Sequence, residues 1–173
     1  MRLFLLPMLA ACLGLAPVCV KAEDAGKKEG TAIAVIDFDY VDTSGEERDQ
    51  RKEHEARLDA FMRALRDDLA QHGSYRLVTP TCTPNPCSLA GASVGDILAA
   101  ARAAGADILL IGGVHKMSTL VQWAKIEAID TKTERAMFDK LFTFRGDTDD
   151  AWRRAEAFIA NEIAAMSGRP AAR

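Results

Sequence analysis

The chain is short of the residues that carry most enzyme chemistry. It has three histidines (His54, His72 and His115) and four cysteines in 173 residues. No Ser-His-Asp or Cys-His set can be assembled from that supply by sequence pattern. There is no glycine-rich phosphate loop, and Gly112-Gly113 alone is too short a signal to stand for one. No basic run is long enough to coat a membrane surface. Nucleic-acid binding, which rests on clustered Lys and Arg neutralising phosphates, is excluded on the same ground. No internal repeat is visible, and no second long apolar stretch follows the first, so the body of the chain reads as soluble.

The amino terminus is distinctive. Met1 and Arg2 make a short positive start, and residues 3–20 are almost continuously apolar. Val20-Lys21-Ala22 then offers small or branched residues where a signal peptidase reads. Pro7, Gly14 and Pro17 interrupt the run, which is marginal for a bilayer that needs about 20 apolar residues. Residues 1–22 are therefore expected to be a removable signal peptide, with a periplasmic destination. The alternative is a membrane-anchored lipoprotein, because Leu9-Ala10-Ala11-Cys12 matches a lipobox and would place a lipid tether on Cys12. The short apolar stretch before that box, and the apolar residues after it, favour cleavage after Ala22.

Cleavage there leaves a chain of single-domain size, with 20 basic residues against 25 acids once Arg2 and Lys21 are gone. It also removes Cys12 and Cys19, leaving Cys82 and Cys87 in an oxidising compartment. The loop Cys82-Thr83-Pro84-Asn85-Pro86-Cys87 is short and turned by prolines, so a disulfide is expected. The spacing is not that of a thioredoxin-like motif, and no second cysteine pair completes a zinc site.

Residues 23–30 read as a disordered leader. Residues 31–38 form a β-branched apolar run suited to a strand covered on both faces, followed by a turn at 42–45. The charged stretch 46–72 places Leu58, Phe61, Met62, Leu65 and Leu69 at helical spacing, and Gly73 ends it. A strand at 75–79 precedes a loop enforced by Pro80, Pro84 and Pro86. Ser93 and Asp96 form a capping box ahead of Val94, Ile97, Leu98 and Ala101, with Gly105 as the stop. Residues 107–114 are a second fully apolar strand, and 117–130 and 134–145 pair around a turn at 131–133. In that pair Ala124, Ile126 and Ala128 alternate with Trp123, Lys125 and Glu127. Asp147 or Thr148 caps a last helix with the stripe Trp152, Ala155, Ile159, Ile163 and Met166, and 168–173 is a flexible tail. The expected class is α/β (α+β): residues 31–167 as one globular domain, a single mixed sheet with helices packed on it, in the order β-α-β-α-β-β-β-α.

Candidate sites are few. His115 and Lys116 stand at a strand end, where α/β proteins often bind ligands, and together they could hold an anion. The plainer reading is a strand leaving the core. His54 and His72 read as solvated helix-end residues. Asp37, Asp39 and Asp42 read as strand-end polarity rather than a calcium loop. The segment from Arg145-Gly146-Asp147 to Arg154 is denser in charge than a cap requires. Asp150 and Arg154 are spaced to pair, and Arg145 is within reach of the aspartates. Its adhesion-like tripeptide sits where a glycine and a capping aspartate are expected anyway. A partner-binding surface would draw on Lys116, Ser118, Arg145, Asp147, Asp150 and Arg153. No metal and no cofactor is assigned.

Five segments together carry a resemblance: Ala34-Val35-Ile36-Asp37-Phe38, the proline-rich cysteine loop, Gly105-Ala106-Asp107, residues 113–120 and residues 145–154. The chain resembles the bacterial secreted proteins grouped as a DUF2380/DUF3280-type domain of unknown function, and departs from them mainly in a long charged insertion at 46–57. More distantly it is similar to the amino-terminal domain of TolB and to lipoproteins that activate penicillin-binding proteins. The resemblance implies a mixed sheet and a non-enzymatic periplasmic role: an accessory or adaptor domain that binds an envelope protein or a periplasmic enzyme. The alternative is a periplasmic small-ligand or cofactor-binding protein that uses His115 and Lys116.

Overall fold

Nine elements follow one another in the computed structural model, which describes residues 30–71, 75–83 and 87–166. The expected signal peptide with its Cys12 lipobox, nearly all of the leader, His72, Gly73 and the tail lie outside the described residues. The elements are β1 (Thr31–Val35), β2 (Asp39–Asp42), α1 (Arg51–Gln71), β3 (Tyr75–Val78), α2 (Val94–Ala103), β4 (Ile108–Lys116), β5 (Val121–Asp130), β6 (Ala136–Arg145) and α3 (Asp149–Ala164). The strands make one open mixed sheet in the order β3-β1-β4-β5-β6, with β2 also paired to β4.

Parallel pairing of β1 with both β3 and β4 decides where the helices lie. The chain leaves β1 through α1 to reach β3 on one side. It then returns through α2, past β1, to β4 on the other side. Two right-handed crossovers running in opposite directions put their helices on opposite faces of the sheet. The core divides accordingly. Ile33, Val35, Ile108 and Leu110 pack under α1 and α3. Ala34, Ile36, Leu109 and Ile111 pack under α2 and the cysteine loop. The β5–β6 hairpin extends the sheet antiparallel to β4. Helices α1 and α3 cover the first face, whereas α2 covers only the β1–β4 part of the second.

The helices form where the apolar spacing and caps direct them. In α1 the buried residues are His54, Phe61, Met62, Leu65 and Leu69. In α2 the Ser93 side chain accepts from the backbone N–H of Asp96, as the capping box requires. Gly105, at φ +77°, ends it with Ala106 N–H donating to Ala101 O, the closing bond of a Schellman turn. Thr148 is the cap of α3, accepting from Ala151 N–H, while Asp149 and Asp150 occupy its first turn beside the positive end of the helix dipole.

One short strand was not expected. Residues 39–42 pair parallel with β4 as β2, so β1 and β2 act as one strand broken at 36–38. At the break Asp37 N–H donates to Cys87 O, and Arg66 of α1 donates to Val35 O and to Asp37 at 2.6 Å. The ladder is thus interrupted by a loop carbonyl and a guanidinium, and the sequence shows only a run of aspartates there.

Gly112 is held by close approach. A Cβ on it would stand 2.7 Å from Lys125 O and 2.8 Å from the Phe38 ring. Gly112→Ala is expected to cost about 2 kcal/mol by overpacking, read as a lower denaturant midpoint. An unchanged midpoint would show that Phe38 gives way freely.

Cys82 and Cys87 form a disulfide, and both are buried against α2 residues Ile97, Leu98 and Ala101. A loop this short contributes about 2 kcal/mol by the chain-entropy argument. Reduction is expected to lower the urea midpoint accordingly. A midpoint that ignores reductant would leave the staple without a role in stability.

A closed charge cluster and an open sheet face

Successive side chains along a strand point to opposite faces, and this separates His115 from Lys116. Lys116 follows Ile108, Leu110 and Val114 onto the α1/α3 face, where its side chain is fully buried. His115 follows Leu109 and Ile111 onto the other face, half-exposed, with Thr43 Oγ1 at 2.8 Å from Nε2 and Trp123 edge-on to its ring. The two side chains cannot close on one anion, so the joint ligand site expected of them does not form. Adjacency in the chain is what separates them.

Around Lys116 stands a charge cluster built from β2, β4, β5, α1, α3 and the segments that lead into the two helices. Its Nζ donates to Glu46 at 2.6 Å, Gln50 at 2.7 Å and Asp147 at 2.8 Å, and Asp42 lies 3.9 Å away. Asp147 also accepts from His54 Nε2 at 2.8 Å and from Arg57 at 2.8 Å. Arg57 continues to Asp149 at 2.8 Å. Gln122 of β5 donates to Gly146 O at 2.9 Å and so fixes the turn that delivers Asp147. Tyr40 and Trp152 close the cluster against the core, with the Tyr40 ring 4.8 Å from His54 and 5.9 Å from Trp152.

The electrostatics follow from these contacts. Burial alone would push the Lys116 ammonium down, but the hydrogen bonds to Asp147 and Glu46 outweigh it and hold its pKa above the ordinary lysine value. Burial likewise pushes the Asp147 carboxyl up, and the bonds from Lys116 and His54 reverse that, leaving it below the usual carboxylate range. Glu46 is lowered by its hydrogen bonds to Lys116 and Thr119. Burial raises the Tyr40 hydroxyl, and Asp42 and Asp147 raise it further. The carboxyl partners of Lys116 are all ionised at neutral pH, and Asp147 is enclosed with it, which makes the cluster a fastener between β4, β5, α1 and the start of α3.

Three of the expected surface residues therefore have different surroundings. Lys116 and Asp147 are enclosed, and the Arg145-Gly146-Asp147 tripeptide is not displayed. Arg57, not Arg145, ties the aspartates to the neighbouring helix. Ser118 is half-buried and its hydroxyl accepts from Val121 N–H. Asp150 and Arg153 are exposed and pair with each other, and Asp150 also meets Arg154 at the expected i,i+4 spacing. His54 is not a solvated helix end but a buried core residue. The signal was present: His54 lies one turn before Leu58 and extends the apolar stripe toward the helix start. Glu46, Gln50, His54 and Arg57, which cage Lys116 and Asp147, all come from the charged stretch 46–57.

The second face of the sheet is open beyond α2. The alternation of β5 and β6 brings Trp123, Lys125, Glu127, Asp139, Leu141, Thr143 and Arg145 onto it. Val41, Leu120 and Leu141 are more than half exposed. Lys125 pairs across strands with Asp139. A depression of about 320 Å³ beside Gly112 and Gly113 is lined by Val41, Leu89, His115, Lys125 and Glu127. Among the described residues, no group of three or more His, Cys, Asp or Glu side chains could hold a metal ion, and no helix is long and apolar enough to cross a membrane. Asp37 is taken by Arg66, and Asp42 accepts from Ser44 N–H at 2.8 Å.

A mixed sheet of this order, with a cysteine loop and a charged corner before α3, defines a small α+β domain. Residues 31–163 match the family model for DUF3280, described as a protein of unknown function (DUF2380), and the chain belongs to that family. No curated protein has a matching sequence. Among solved structures, the chain is similar to the PelC dodecamer protein from Paraburkholderia phytofirmans, with TM-score 0.51 and 16% identity over 82% of this chain and 90% of that one. It is similar to TolB from Acinetobacter baumannii, with TM-score 0.49 and 12% identity over 80% of this chain. There it spans only 28% of the other chain. The LpoB C-terminal domain from Escherichia coli is matched with TM-score 0.47 and 12% identity, over 68% of this chain and 84% of that one. At 16% identity the likeness to the PelC protein speaks for the fold alone.

Proposed function

We propose that this protein is an exported, non-enzymatic accessory domain of the cell envelope that binds a protein partner through the open face of its sheet. The observation that carries the reading is the contrast between the two faces. On the first, titratable groups are spent on one another around Lys116, buried beneath two helices. On the second, Val41, Trp123 and Leu141 lie among Lys125, Glu127 and Arg145 with no helix over them. Exposed apolar side chains interleaved with charges give this face the makings of a recognition surface. Of the residues expected from sequence to meet a partner, Arg145 belongs to this surface, while Asp150 and Arg153 lie on α3. The amino-terminal signal supports export, with a lipid on Cys12 as the tethered form of the same protein.

Site-specific photo-crosslinking in the native host tests this. A photoreactive residue at Leu141 is expected to give a discrete crosslinked product, and the same residue at Arg153 none. Crosslinks from position 153 alone would move the partner to α3, and none from either would remove the proposal. The depression beside Gly112 favours a second reading, in which a small anion meets His115 and Lys125 rather than His115 and Lys116. Thermal-shift screening with anionic metabolites separates the two readings, because a ligand at 100 times its Kd stabilises by about 2.7 kcal/mol.

A further inference from the structure

The α3 stripe that faces α1 contains a carboxyl group. Glu156 lies between Trp152 and Ile159 and is 2% exposed, and its Oε1 has no hydrogen-bond partner. Trp152 Nε1 is also buried without a partner. These two residues are one helical turn apart on the same face, and both line an opening of about 510 Å³ between α1 and α3. From α1 it is lined by Ala56, Ala60 and Ala64, whose small side chains leave the space between the helices unfilled, with Phe61 beside them. The volume is within the roughly 300–1,000 Å³ of small-ligand pockets.

The other charges of the groove are already matched. Arg57 is held by Asp147 and Asp149, Arg153 by Asp150, and Glu53 by Arg48. Burial and the neighbouring Asp68 both act against ionisation of Glu156. A cation seated in the groove would offset both effects, and the faces of Trp152 and Phe61 attract cations in their own right. We propose that the α1–α3 groove is a binding site for a small organic cation, an ammonium group on an apolar body, with Glu156 as its counter-ion. The alanines and the Phe61 ring on the α1 wall and the Trp152 ring on the α3 wall suit the apolar body, and an acceptor next to the ammonium would satisfy the free indole N–H.

The protein has two tryptophans, and they lie on opposite faces of the sheet, so one reports on the groove and the other serves as its control. Hexylammonium is titrated into the mature protein, in parallel with 1-hexanol and hexanoate, while the two indole N–H resonances are followed by NMR. The expected result is that hexylammonium moves the Trp152 resonance and leaves Trp123 in place, with both neutral and anionic probes at least tenfold weaker. Glu156→Gln is expected to weaken hexylammonium at least tenfold while its spectrum remains that of a folded protein. Equal binding of 1-hexanol, full binding to Glu156→Gln, or a Trp152 resonance that never moves would each overturn the proposal.

Discussion

Lys116→Met is expected to destabilise the protein by about 3–5 kcal/mol, a large share of a domain's total stability. Methionine fits the stem of the lysine, so packing changes little. What changes is the charge inventory: Asp147 and Glu46 lose the ammonium that both accept from, and Gln50 loses its donor. Asp147 is mostly enclosed and cannot turn to water, although Arg57 and His54 still reach it. Removing one partner of a buried set costs more than the set contributes, because the remaining charge stays desolvated. The pair Lys116→Met and Asp147→Asn together should therefore cost less than the sum of the two single changes. Urea unfolding of all four proteins measures this. If Lys116→Met falls within about 1 kcal/mol of the parent, the cluster is not the fastener described above.

Glu156→Gln is expected to act in the opposite direction, and only at higher pH. Burial, with help from Asp68, pushes the Glu156 carboxyl up to about 7 from its ordinary 4.5. A raised carboxyl favours the folded state fully below pH 4.5, where it is neutral whether the chain is folded or not. That contribution is lost as pH rises through about 7, where folding must keep a buried anion. At about 1.4 kcal/mol per pH unit, glutamine should be the more stable residue by about 3 kcal/mol at pH 8 and nearly equivalent at pH 4.5. Asp147 and Asp42, both lowered, work the other way: their contribution is present above the ordinary carboxylate range and lost on acidification. The parent should thus be most stable between these limits, and the Gln variant should lose only the alkaline decline. A difference between the two proteins that stays constant from pH 4.5 to 8 would show that Glu156 is not a buried titrating acid.

Both predictions concern charged side chains on the first face, and the sequence treated them unequally. Lys116 and Asp147 stand out in the sequence at a strand end and a helix start, where each reads as a surface residue. Nothing local states that an ion is enclosed, because enclosure is supplied by α1, a separate element that crosses over the sheet. Glu156 does not stand out, because the stripe through Trp152, Ile159 and Ile163 reads as complete without it. His54 could have been found, since it extends an apolar stripe by one turn.

The sequence by itself determined the elements and their class. Period-two alternation in β5 and β6, apolar stripes in α1 and α3, the Ser93 and Thr148 caps and the Gly105 stop are local instructions, each read within a few residues. Strand–helix alternation then constrained the crossovers, and with them the mixed sheet. Only the tertiary structure decided which charges meet. His115 and Lys116 share a peptide bond and face opposite sides of the sheet. Lys116 and Glu46, 70 residues apart, share a hydrogen bond. Side-chain direction is a local property, but desolvation and pairing depend on what another element brings across. For that reason the charge cluster, the open face and the Glu156 groove emerged only from the fold.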